Sequence, residues 1–533
     1  MNLLTRLQLS RDAGVTVANL VDELEKRKGD CEVTVGEEGS FRLSGLAEEI
    51  RSIDSFLRRE VALEPGQQVA IYRSNSRECF HWFLAIIRAG GIAVPLNPQL
   101  SLSEVSRILA DSGTQILVTD KTVFERAIGD RHALKVRTWI QEDDEAETLP
   151  GFQRRGQAGQ SFPPSVIDPG ATVAVFHTSG TSGFPKGAAL SSHALLAARA
   201  TTIIAGLFLG PRDLALVALP WSHIMAVSIA LYGLMAGIRG CFLDRFDVEK
   251  ALTLVERFGI TAMVGVPAMF ARLVNSNPDP ARLRSLRVFL SASDHLPSEV
   301  RVRLRDYGAL FRLPGLPRVP PILLNGYGMV ELGGLAMMGV DHPLLPGDGD
   351  LCFPVPPFQV RVADDIGRTA PAGVTGECQI KRRGLRPHYW RDQADSKDLL
   401  TPDGWLRTGD LATRNRLGMI RLVGRMKDVI KSGGYSVYVR ELEEALLADP
   451  SVENAVAFGL PHMDKGEIPV AAVELRRDSP ATEEELLDRC RKILAPYKAP
   501  RRIFIVDAGS LPRNDNGKVL RRILREQFLE QVP

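Results

Sequence analysis

The feature that most restricts the fold of this chain is a regular alternation of short apolar runs with longer amphipathic ones. Strand-like runs occupy residues 68–72, 91–96 and 115–118, and helical patterns at 78–89 and 103–112 separate them. Strands that alternate with helices are typical of parallel sheets, because each parallel pair needs a long crossover connection. The first part of the chain is therefore predicted to form a parallel, helix-covered sheet.

The same rhythm returns further along the chain and predicts a second sheet. Its predicted members are strands at 213–219, 260–266 and 286–290 and helices at 224–238 and 248–258. A chain of 533 residues is long enough for more than one such layer around a large buried core.

The pattern changes after residue 360. Between Val360 and Tyr389, short strands are separated by turn residues, which indicates a small β-barrel or a distorted antiparallel unit. After Arg425 the chain begins a smaller α+β unit, with helices predicted at 441–448 and 482–494 and strands at 455–459, 469–475 and 502–506.

The predicted fold class is therefore α/β. A large N-terminal domain, residues 1–426, contains two helix-covered sheets and the small β-barrel, and a small α+β C-terminal domain covers residues 427–533.

Composition excludes several classes of function. Hydrophobic residues make up 44% of the chain and charged residues 24%, which is typical of globular domains. The net charge of +2, from 66 basic and 64 acidic residues, disfavours a general role in binding nucleic acid or a membrane surface. The 6 cysteines and 9 histidines show no metal-ligand spacing, so reduced thiols and no structural metal are expected.

Targeting and membrane signals are also lacking in the pattern. The N-terminal residues have no signal-peptide core or cleavage pattern. The longest apolar run, residues 224–238, is shorter than the roughly 18 residues of a membrane span, so it is predicted to be a buried helix. A cytoplasmic protein with no membrane span is expected.

A loop rich in glycine and hydroxyl residues carries the strongest functional signal. The stretch from His177 to Gly187 reads HTSGTSGFPKG, after a strand-like run and before a helix-compatible run that begins near Ser191. Glycines let backbone N–H groups approach phosphate oxygens, hydroxyl groups donate further hydrogen bonds, and Lys186 supplies a mobile charge. The loop is not a Walker A motif, because Pro185 precedes the lysine and Gly187 follows it. A polyphosphate site is predicted.

This loop resembles the phosphate loop of the adenylate-forming (AMP-binding) superfamily, which contains acyl-CoA synthetases, adenylation domains and luciferases. Further motifs that resemble the family occur in its order over roughly residues 40–520. The resemblance implies that the small C-terminal domain is mobile. It assigns Thr181 to catalysis and assigns nucleotide binding to Thr178, Ser179, Gly180, Ser182, Gly183 and Lys186.

Two segments resemble the family's adenine site. In NGYGMVE, the resemblance implies that Tyr327 stacks on adenine beside Asn325 and Gly326, and that Glu331 holds Mg²⁺ against the phosphates. The threonine usual in this motif is replaced by Val330, which removes one hydroxyl near the α-phosphate.

The second of these segments is a turn of small residues. The family's small-residue turn, which leaves a flat slot for adenine, is matched by Ser291, Ala292 and Ser293. Asp294 and His295 depart from the commonest pattern at this wall.

The segments GWLRTGD and VGRMKD resemble the ribose site and the domain junction. A carboxylate such as that of Asp410 can accept hydrogen bonds from both ribose hydroxyls, which a neutral side chain copies poorly. The resemblance assigns Arg425 to the ribose and Lys427 to the hinge of the small domain. Gly433 and Gly434 resemble the loop that lines the pantetheine tunnel in CoA ligases, although they also fit a plain tight turn.

Two further residues are predicted to be catalytic. Lys518, in the final LPRNDNGK motif, is implied to bridge the substrate carboxylate and the α-phosphate during adenylation only; Asn514 stands where threonine is usual. His223, in LPWSH, is implied to lie beside the acyl site, although a histidine before an apolar helix also fits a packed core residue. The predicted pocket wall consists of Trp221, His223, Met225, Val264, Gly265 and Met329. This wall is apolar, which favours a fatty or aromatic monocarboxylic acid over a dicarboxylic acid.

The function implied by the resemblance is that of an acid–thiol ligase. A carboxylic acid is activated with ATP and Mg²⁺ to acyl-AMP and transferred to CoA, giving acyl-CoA, AMP and pyrophosphate. Alternatives are an enzyme that loads an acyl carrier protein or stops at acyl-AMP, a luciferase-like oxygenase, and a non-catalytic nucleotide-binding sensor. Since no carrier domain is fused within the sequence, free CoA is the favoured acceptor. A monomer or homodimer without a nucleic-acid partner is expected.

Overall fold

The computed structural model of the chain describes residues 3–36, 39–141, 153–154, 161–178, 186–312, 317–343, 349–392, 396–477, 479–513 and 519–531. Its helices are α1 Leu3–Arg11, α2 Leu20–Lys28, α3 Leu43–Arg59, α4 Arg77–Arg88, α5 Leu102–Ser112, α6 Lys121–Val123, α7 Ser192–Leu195, α8 Thr201–Phe208, α9 Ile224–Ala236, α10 Val248–Phe258, α11 Pro267–Asn275, α12 Ser298–Leu304, α13 Val439–Leu447, α14 Glu483–Ile493 and α15 Arg521–Phe528.

The strands are β1 Glu32–Gly36, β2 Gly39–Arg42, β3 Gln68–Ile71, β4 Ile92–Pro95, β5 Ile116–Thr119, β6 Thr138–Gln141, β7 Gln153–Arg154, β8 Thr172–Thr178, β9 Lys186–Ser191, β10 Leu214–Val217, β11 Arg239–Phe242, β12 Ala262–Gly265, β13 Val288–Ala292, β14 Ile322–Met329, β15 Gly334–Asp341, β16 Leu351–Pro354, β17 Gln359–Ala363, β18 Gly376–Lys381, β19 His388–Tyr389, β20 Leu406–Arg414, β21 Ile420–Arg425, β22 Ile430–Ser432, β23 Tyr435–Val437, β24 Val452–His462, β25 Gly466–Leu475 and β26 Arg502–Val506.

The predicted parallel sheet in the first part of the chain is confirmed. Its eight strands lie in the order β19, β9, β8, β4, β3, β5, β6, β7, and β4, β3, β5 and β6 pair in parallel. Strands β4 and β5 are buried along their whole length, because helices such as α4 and α5 cover the sheet. Helix α5 starts with a capping box in which Ser101 accepts from the backbone of Glu104 and the Glu104 carboxylate accepts from the backbone of Ser101.

The second predicted sheet is also confirmed, and it is larger. Its thirteen strands lie in the order β17, β18, β20, β21, β16, β15, β14, β13, β12, β10, β11, β1, β2. The run from β11 to β14 is parallel, whereas β14 to β16 and the strands beyond them pair antiparallel. The short antiparallel strands predicted after residue 360 are β17 and β18, and with β20 and β21 they are continuous with this sheet.

Helix α9 is the buried apolar helix that the sequence predicts. It begins after His223, whose ring nitrogen Nδ1 accepts a hydrogen bond from the Met225 amide, and it ends at Gly237 in the left-handed conformation. Within the described part of the chain, every helix is too short or too polar to cross a bilayer.

A smaller α+β unit follows residue 425, as predicted. Strands β23, β22, β25 and β24 form one sheet, with β26 paired to β25, and α13, α14 and α15 accompany them. The apolar cores of this unit draw on residues from Ile430 to Phe528, and the cores of the larger part draw on residues up to Leu422. The predicted domain boundary at 426/427 falls in the 3₁₀ turn Met426–Asp428 that connects β21 to β22.

Candidate active site

Two antiparallel strands carry the ends of the predicted phosphate loop. Strand β8 ends at Thr178 and β9 begins at Lys186, and these two residues are register partners. The predicted ligands Ser179, Gly180, Thr181, Ser182 and Gly183 lie outside the described residues.

The chain directly after the loop differs from the sequence prediction. The helix predicted near Ser191 is α7, which begins at Ser192, but the unpredicted strand β9 precedes it. Its Ala-Ala-Leu core favours helix intrinsically, and pairing with β8 overrides that preference. A Cβ at Gly187 would lie 2.8 Å from Val175 Cγ1 and 3.2 Å from His177 Nε2, so this close pairing requires glycine.

Lys186 lies over an aromatic ring that sequence reasoning missed. Its Nζ atom is 5.4 Å from the ring centroid of Tyr389, which is a cation–π contact. Tyr389 is in β19, which pairs antiparallel with β9 and so lies beside the strand that begins with Lys186.

Glu331, the predicted Mg²⁺ ligand, lies in the 3₁₀ turn Val330–Leu332 that follows β14. It is buried, with 8% of its surface exposed to solvent. The hydroxyl of Tyr389 donates to Glu331 Oε1 over 2.9 Å. Tyr389 therefore contacts both Lys186, at the start of β9 in the eight-stranded sheet, and Glu331, in the turn that follows β14 of the thirteen-stranded sheet. The two residues of the hydrogen bond are 58 positions apart, so no local pattern announces the contact.

The predicted adenine-site residues lie next to one another. Strands β13 and β14 are parallel, and their register pairs Ser291 with Asn325 and Ala292 with Gly326. A Cβ at Gly326 would lie 2.9 Å from Leu335 Cδ1 and 3.3 Å from Ala292 Cβ, so the wall needs small residues here. Ser293 follows with φ of 79°, a left-handed conformation that turns the chain out of the sheet.

The two residues predicted for the ribose, Asp410 and Arg425, contact each other, and Asp410 also contacts Tyr327, which is predicted for the adenine. Tyr327 donates its hydroxyl to Asp410 Oδ2 over 2.6 Å, and Arg425 Nε lies 3.4 Å from Asp410 Oδ1. Asp410 and Arg425 face each other as register partners in β20 and β21. Burial, and next the charge of Asp410, raise the pKa of Tyr327 well above its usual value, so the phenol stays protonated as a donor.

The predicted hinge and tunnel residues lie at the entrance to the small unit. Lys427 is in the 3₁₀ turn between β21 and β22. Gly433 and Gly434 form a two-residue hairpin between β22 and β23, with φ values of 56° and 84°. Positive φ at both positions is typical of a type I′ turn, which explains the paired glycines conformationally.

His223 faces the cleft at the start of α9. Burial lowers the pKa of His223 to about 4, so the ring is neutral at physiological pH. Because Nδ1 accepts from the Met225 amide, the proton of the neutral ring lies on Nε2. Burial also lowers the pKa of His177 to about 4 beside the phosphate loop.

His295, a departure from the family pattern, contacts the small unit. Its Nε2 lies 3.1 Å from Glu444 Oε1 on α13, and its Nδ1 lies 3.5 Å from Asp350 Oδ1. The hydrogen bond with His295, and then the charge of Arg440, lower the pKa of Glu444 to about 2 although partial burial raises it.

Asp350 is the centre of that interface. Arg440 from the small unit and Arg301 from the large part each lie 3.1 Å from Asp350 Oδ1. Although His295, Asp350 and Glu444 are close enough to share a metal ion, these guanidinium groups already balance the carboxylates. The arrangement is that of an ion-pair network.

Lys518 lies outside the described residues. Its flanking residues Arg513 and Val519 form an antiparallel bridge, and both line the cleft that also contains Glu331 and Asp410.

One cleft connects the nucleotide-site residues Lys186, Glu331 and Asp410 with His223. Its volume is about 1970 Å³, which exceeds the roughly 300–1,000 Å³ of a typical small-molecule site. It is lined by residues from both units, and five of the six predicted acyl-wall residues line it, with Gly265 as the exception. The five are Trp221, His223, Met225, Val264 and Met329.

The cleft continues as an apolar channel between α9 and the thirteen-stranded sheet. The channel floor consists of two rows of register partners across the strands, and the second row is made of small residues near its centre. The first row is Leu324, Leu290, Val264, Val217 and Phe242, and the second is Val288, Ala262, Ala215, Gly240 and Thr34.

Helix α9 forms the opposite wall of the channel. Met225, Ile229, Gly233 and Ala236 line it at helical spacing on one face. Met225 and Ala236 are eleven positions apart, which is about 16 Å at the rise of an α-helix.

Comparison with known proteins adds an independent line of evidence about the family of this chain. The family model of AMP-binding enzymes matches residues 22–390, and that of the AMP-binding enzyme C-terminal domain matches residues 441–518. A long-chain-fatty-acid–CoA ligase of Yersinia pestis is 29% identical over 93% of this chain and 91% of its own length. 4-coumarate–CoA ligase 5 of Oryza sativa subsp. japonica is 30% identical over 88% of this chain and 86% of its own length.

Solved structures are similar over nearly the whole chain. ATP-bound MatB from Rhodopseudomonas palustris has a TM-score of 0.82 at 26% identity, covering 97% of this chain and 100% of its own. The apo structure of the same protein has a TM-score of 0.74 at 26% identity with the same coverage.

Proposed function

The chain belongs to the AMP-binding enzyme family, and on that basis we propose that it is an AMP-forming acyl-CoA synthetase that activates a fatty acid. The acid's carboxylate attacks the α-phosphorus of ATP and expels pyrophosphate, and the thiol of CoA then attacks the acyl carbon of acyl-AMP and expels AMP. The proposal rests on one observation: three features line the same cleft. They are the contacts of Asp410 with Tyr327 and Arg425, the contacts of Tyr389 with Lys186 and Glu331, and the apolar channel.

The first half-reaction needs a leaving group on the acid. A carboxylate is a poor electrophile because it would have to expel oxide, whereas the mixed anhydride with AMP expels a stable phosphate ester. The protein's task is to align the carboxylate with the α-phosphorus and to stabilise charge on the phosphoryl oxygens. Asp410 and Arg425 would hold the ribose, Tyr327 the adenine, and Lys186 and Lys518 the phosphates, with His223 beside the carboxylate.

The residues at the phosphate end fit a magnesium ion. Mg²⁺ is commonly bound by one or two carboxylates together with substrate phosphates, and Glu331 offers a buried carboxylate beside the strand end that carries Lys186. When bound, the ion would neutralise developing charge on the phosphoryl oxygens.

The second half-reaction requires the small domain, residues 427–533, to turn about Lys427 relative to residues 1–426. The single backbone crossing at Met426–Asp428 supports this division. The higher similarity to ATP-bound than to apo MatB supports assigning the present arrangement to adenylation. Lys518 would act in adenylation only, and the Gly433–Gly434 turn would enter the path of the CoA thiol afterwards.

The channel supports an aliphatic acid as the substrate. Its floor has no side chain larger than alanine at Ala262 and Ala215, and α9 lines it for about 16 Å. This depth suits an extended alkyl chain better than a single aromatic ring. The fatty-acid ligase relative supports the same class.

The test is ATP-dependent pyrophosphate release with saturated acids from butanoic to octadecanoic and with cinnamic-type acids, each with and without CoA. We expect release that is highest with long saturated acids, and an acyl-CoA product identified by mass. Thioester formation only with aryl acids would overturn the substrate class. Acyl transfer to a holo-carrier protein but not to CoA would overturn the acceptor. Tight AMP binding without pyrophosphate release in the presence of any acid would overturn the proposal that the protein is an enzyme.

A further inference from the structure

We propose that Tyr389 is a positioning residue that sets the geometry of Glu331 toward Mg²⁺ and of Lys186 toward the phosphates. This inference rests on the proposed function, because it gives Glu331 and Lys186 their roles at the ATP site. Neither the phosphate loop nor the NGYGMVE motif contains Tyr389, which reaches both from a separate two-residue strand.

Tyr389 spans the boundary between the two large sheets. Its ring lies beneath the Lys186 ammonium in the eight-stranded sheet, at 5.4 Å from Nζ. Its hydroxyl donates to Glu331 Oε1 at 2.9 Å, and Glu331 directly follows β14 of the thirteen-stranded sheet. One side chain therefore contacts both the ammonium of Lys186 and the carboxylate of Glu331. It can fix the distance between these two groups, although they are attached to different sheets.

The backbone around Tyr389 is held firmly enough to serve as a reference. Tyr389 is the register partner of Ala188, and the Trp390 amide donates to the Gly187 carbonyl at 2.7 Å. The Trp390 indole donates to the Ser112 carbonyl at 3.1 Å, which ties the strand to the end of α5. A rigid tyrosine can orient a carboxylate, whereas a tyrosine on a loose loop would follow it.

The direction of the hydrogen bond has a chemical consequence. Because Oε1 accepts from the Tyr389 hydroxyl, the hydrogen bond restrains rotation of the Glu331 carboxylate, which would hold Mg²⁺ when the ion is bound. Mg²⁺ demands near-ideal octahedral geometry, so a carboxylate that is free to rotate would bind it less well. Hydrogen-bond partners of metal ligands typically change metal affinity or activity by about 10- to 100-fold.

The experiment compares two variants that each lose one phenolic hydroxyl. Tyr389→Phe keeps the ring under Lys186 and removes the donor to Glu331, whereas Tyr72→Phe removes a remote hydroxyl that donates to the Leu100 carbonyl next to the same sheet. The affinity for α,β-methylene-ATP is measured calorimetrically with excess EDTA and with Mg²⁺. The gain in affinity that Mg²⁺ causes should fall by about 10- to 100-fold in Tyr389→Phe and stay unchanged in Tyr72→Phe.

Two further variants separate positioning from a merely structural role. Glu331→Gln should lose the Mg²⁺-dependent gain as well, and adding Tyr389→Phe to it should cost little more, because both changes remove one interaction. Tyr389→Leu also removes the ring beneath Lys186 and should weaken nucleotide binding without metal too, which Tyr389→Phe should not.

The outcomes distinguish this inference from the proposed function. A Tyr389→Phe protein with the wild-type Mg²⁺ gain overturns the positioning role, even if the wild type makes acyl-CoA. Equal weakening with and without Mg²⁺ in Tyr389→Phe, together with a lower unfolding temperature, also overturns it. Selective loss of the Mg²⁺ gain supports the positioning role, even if no acid yields pyrophosphate and the proposed function fails.

Discussion

A substitution at Gly233 should shorten the acids that the protein accepts. Gly233 lines the channel from α9, and a Cβ built there meets only the Ile238 carbonyl, at 3.8 Å. The position is ten residues beyond His223, so it lies about 15 Å further along the helix. A leucine at this point would project into the channel and close its far end.

The magnitude follows from the length of the acyl chain. Carbon–carbon bonds of about 1.5 Å in a zigzag advance an extended chain by about 1.3 Å per carbon, so about eleven or twelve carbons fit before Gly233. Hexadecanoic acid then loses burial of about four methylene groups. At about 0.8 kcal/mol each, the loss is about 3 kcal/mol, or about 10²-fold in kcat/KM. Octanoic acid ends before the obstruction and should be unaffected.

The assay is pyrophosphate release with octanoic and hexadecanoic acids, as the ratio of their kcat/KM values for wild type, Gly233→Leu and Gly233→Ala. The alanine variant is the matched control, since the space at this site accepts one methyl group and alanine favours the helix. It should keep the wild-type ratio and unfold at a higher temperature. An unchanged ratio in the correctly folded leucine variant, or equal loss with both acids, would refute the channel assignment.

Three other outcomes are expected. Lys518→Ala should slow acyl-AMP formation by about 10²- to 10³-fold and spare thioester formation from synthetic acyl-AMP, measured as separate half-reactions. Burial lowers the pKa values of His177 and His223 from 6.5 to about 4, so between these pH values only the unfolded chain binds the two protons. The free energy of unfolding, measured by urea titration, should therefore fall as the pH drops from about 6.5 to about 4. The expected loss is up to about 3 kcal/mol for each histidine. Asp350→Asn should weaken the contact with Arg440 by up to about 1 kcal/mol and speed tryptic cleavage between the two units.

Each of these has its own control. Equal loss of both half-reactions in Lys518→Ala would contradict its restriction to adenylation. Replacing both buried histidines with glutamine should flatten the acid limb, whereas the exposed His132→Gln should leave it in place. Asp306→Asn removes an exposed carboxylate that pairs with Arg318 at 3.6 Å, so its cleavage rate should match the wild type.

Sequence patterns predict the local elements of this fold well because they depend on nearby residues. The helix predicted at 248–258 and the strand predicted at 502–506 coincide with α10 and β26. Strand β9 was missed because its pairing with β8 is settled by the sheet and not by its own composition.

The site divides in the same way. Asp410, Tyr327 and Glu331 belong to motifs with a chemical reason behind each residue type, and the structure brings them to one cleft. Tyr389 lies in a segment without such a motif, and its role follows only from the crossing of two sheets. His295 departs from the family pattern at the adenine wall, and its ring contacts Glu444 of the small unit, a contact that sequence spacing does not encode.

The nature of the contact between the two units decides how much free energy the proposed rotation about Lys427 would cost. In the described part of the chain, the apolar cores on either side are separate clusters. Ion pairs connect the units, such as Arg440–Asp350 at 3.1 Å and Arg476–Glu299 at 2.8 Å. Partly exposed pairs of this kind contribute about 0–1 kcal/mol each, because water solvates the charges when they part, whereas separating an apolar core would cost about 25 cal/mol for every Å² uncovered. In the proposed two-step reaction, the same charges would therefore hold the small unit for adenylation and release it for transfer to CoA at a low cost in free energy.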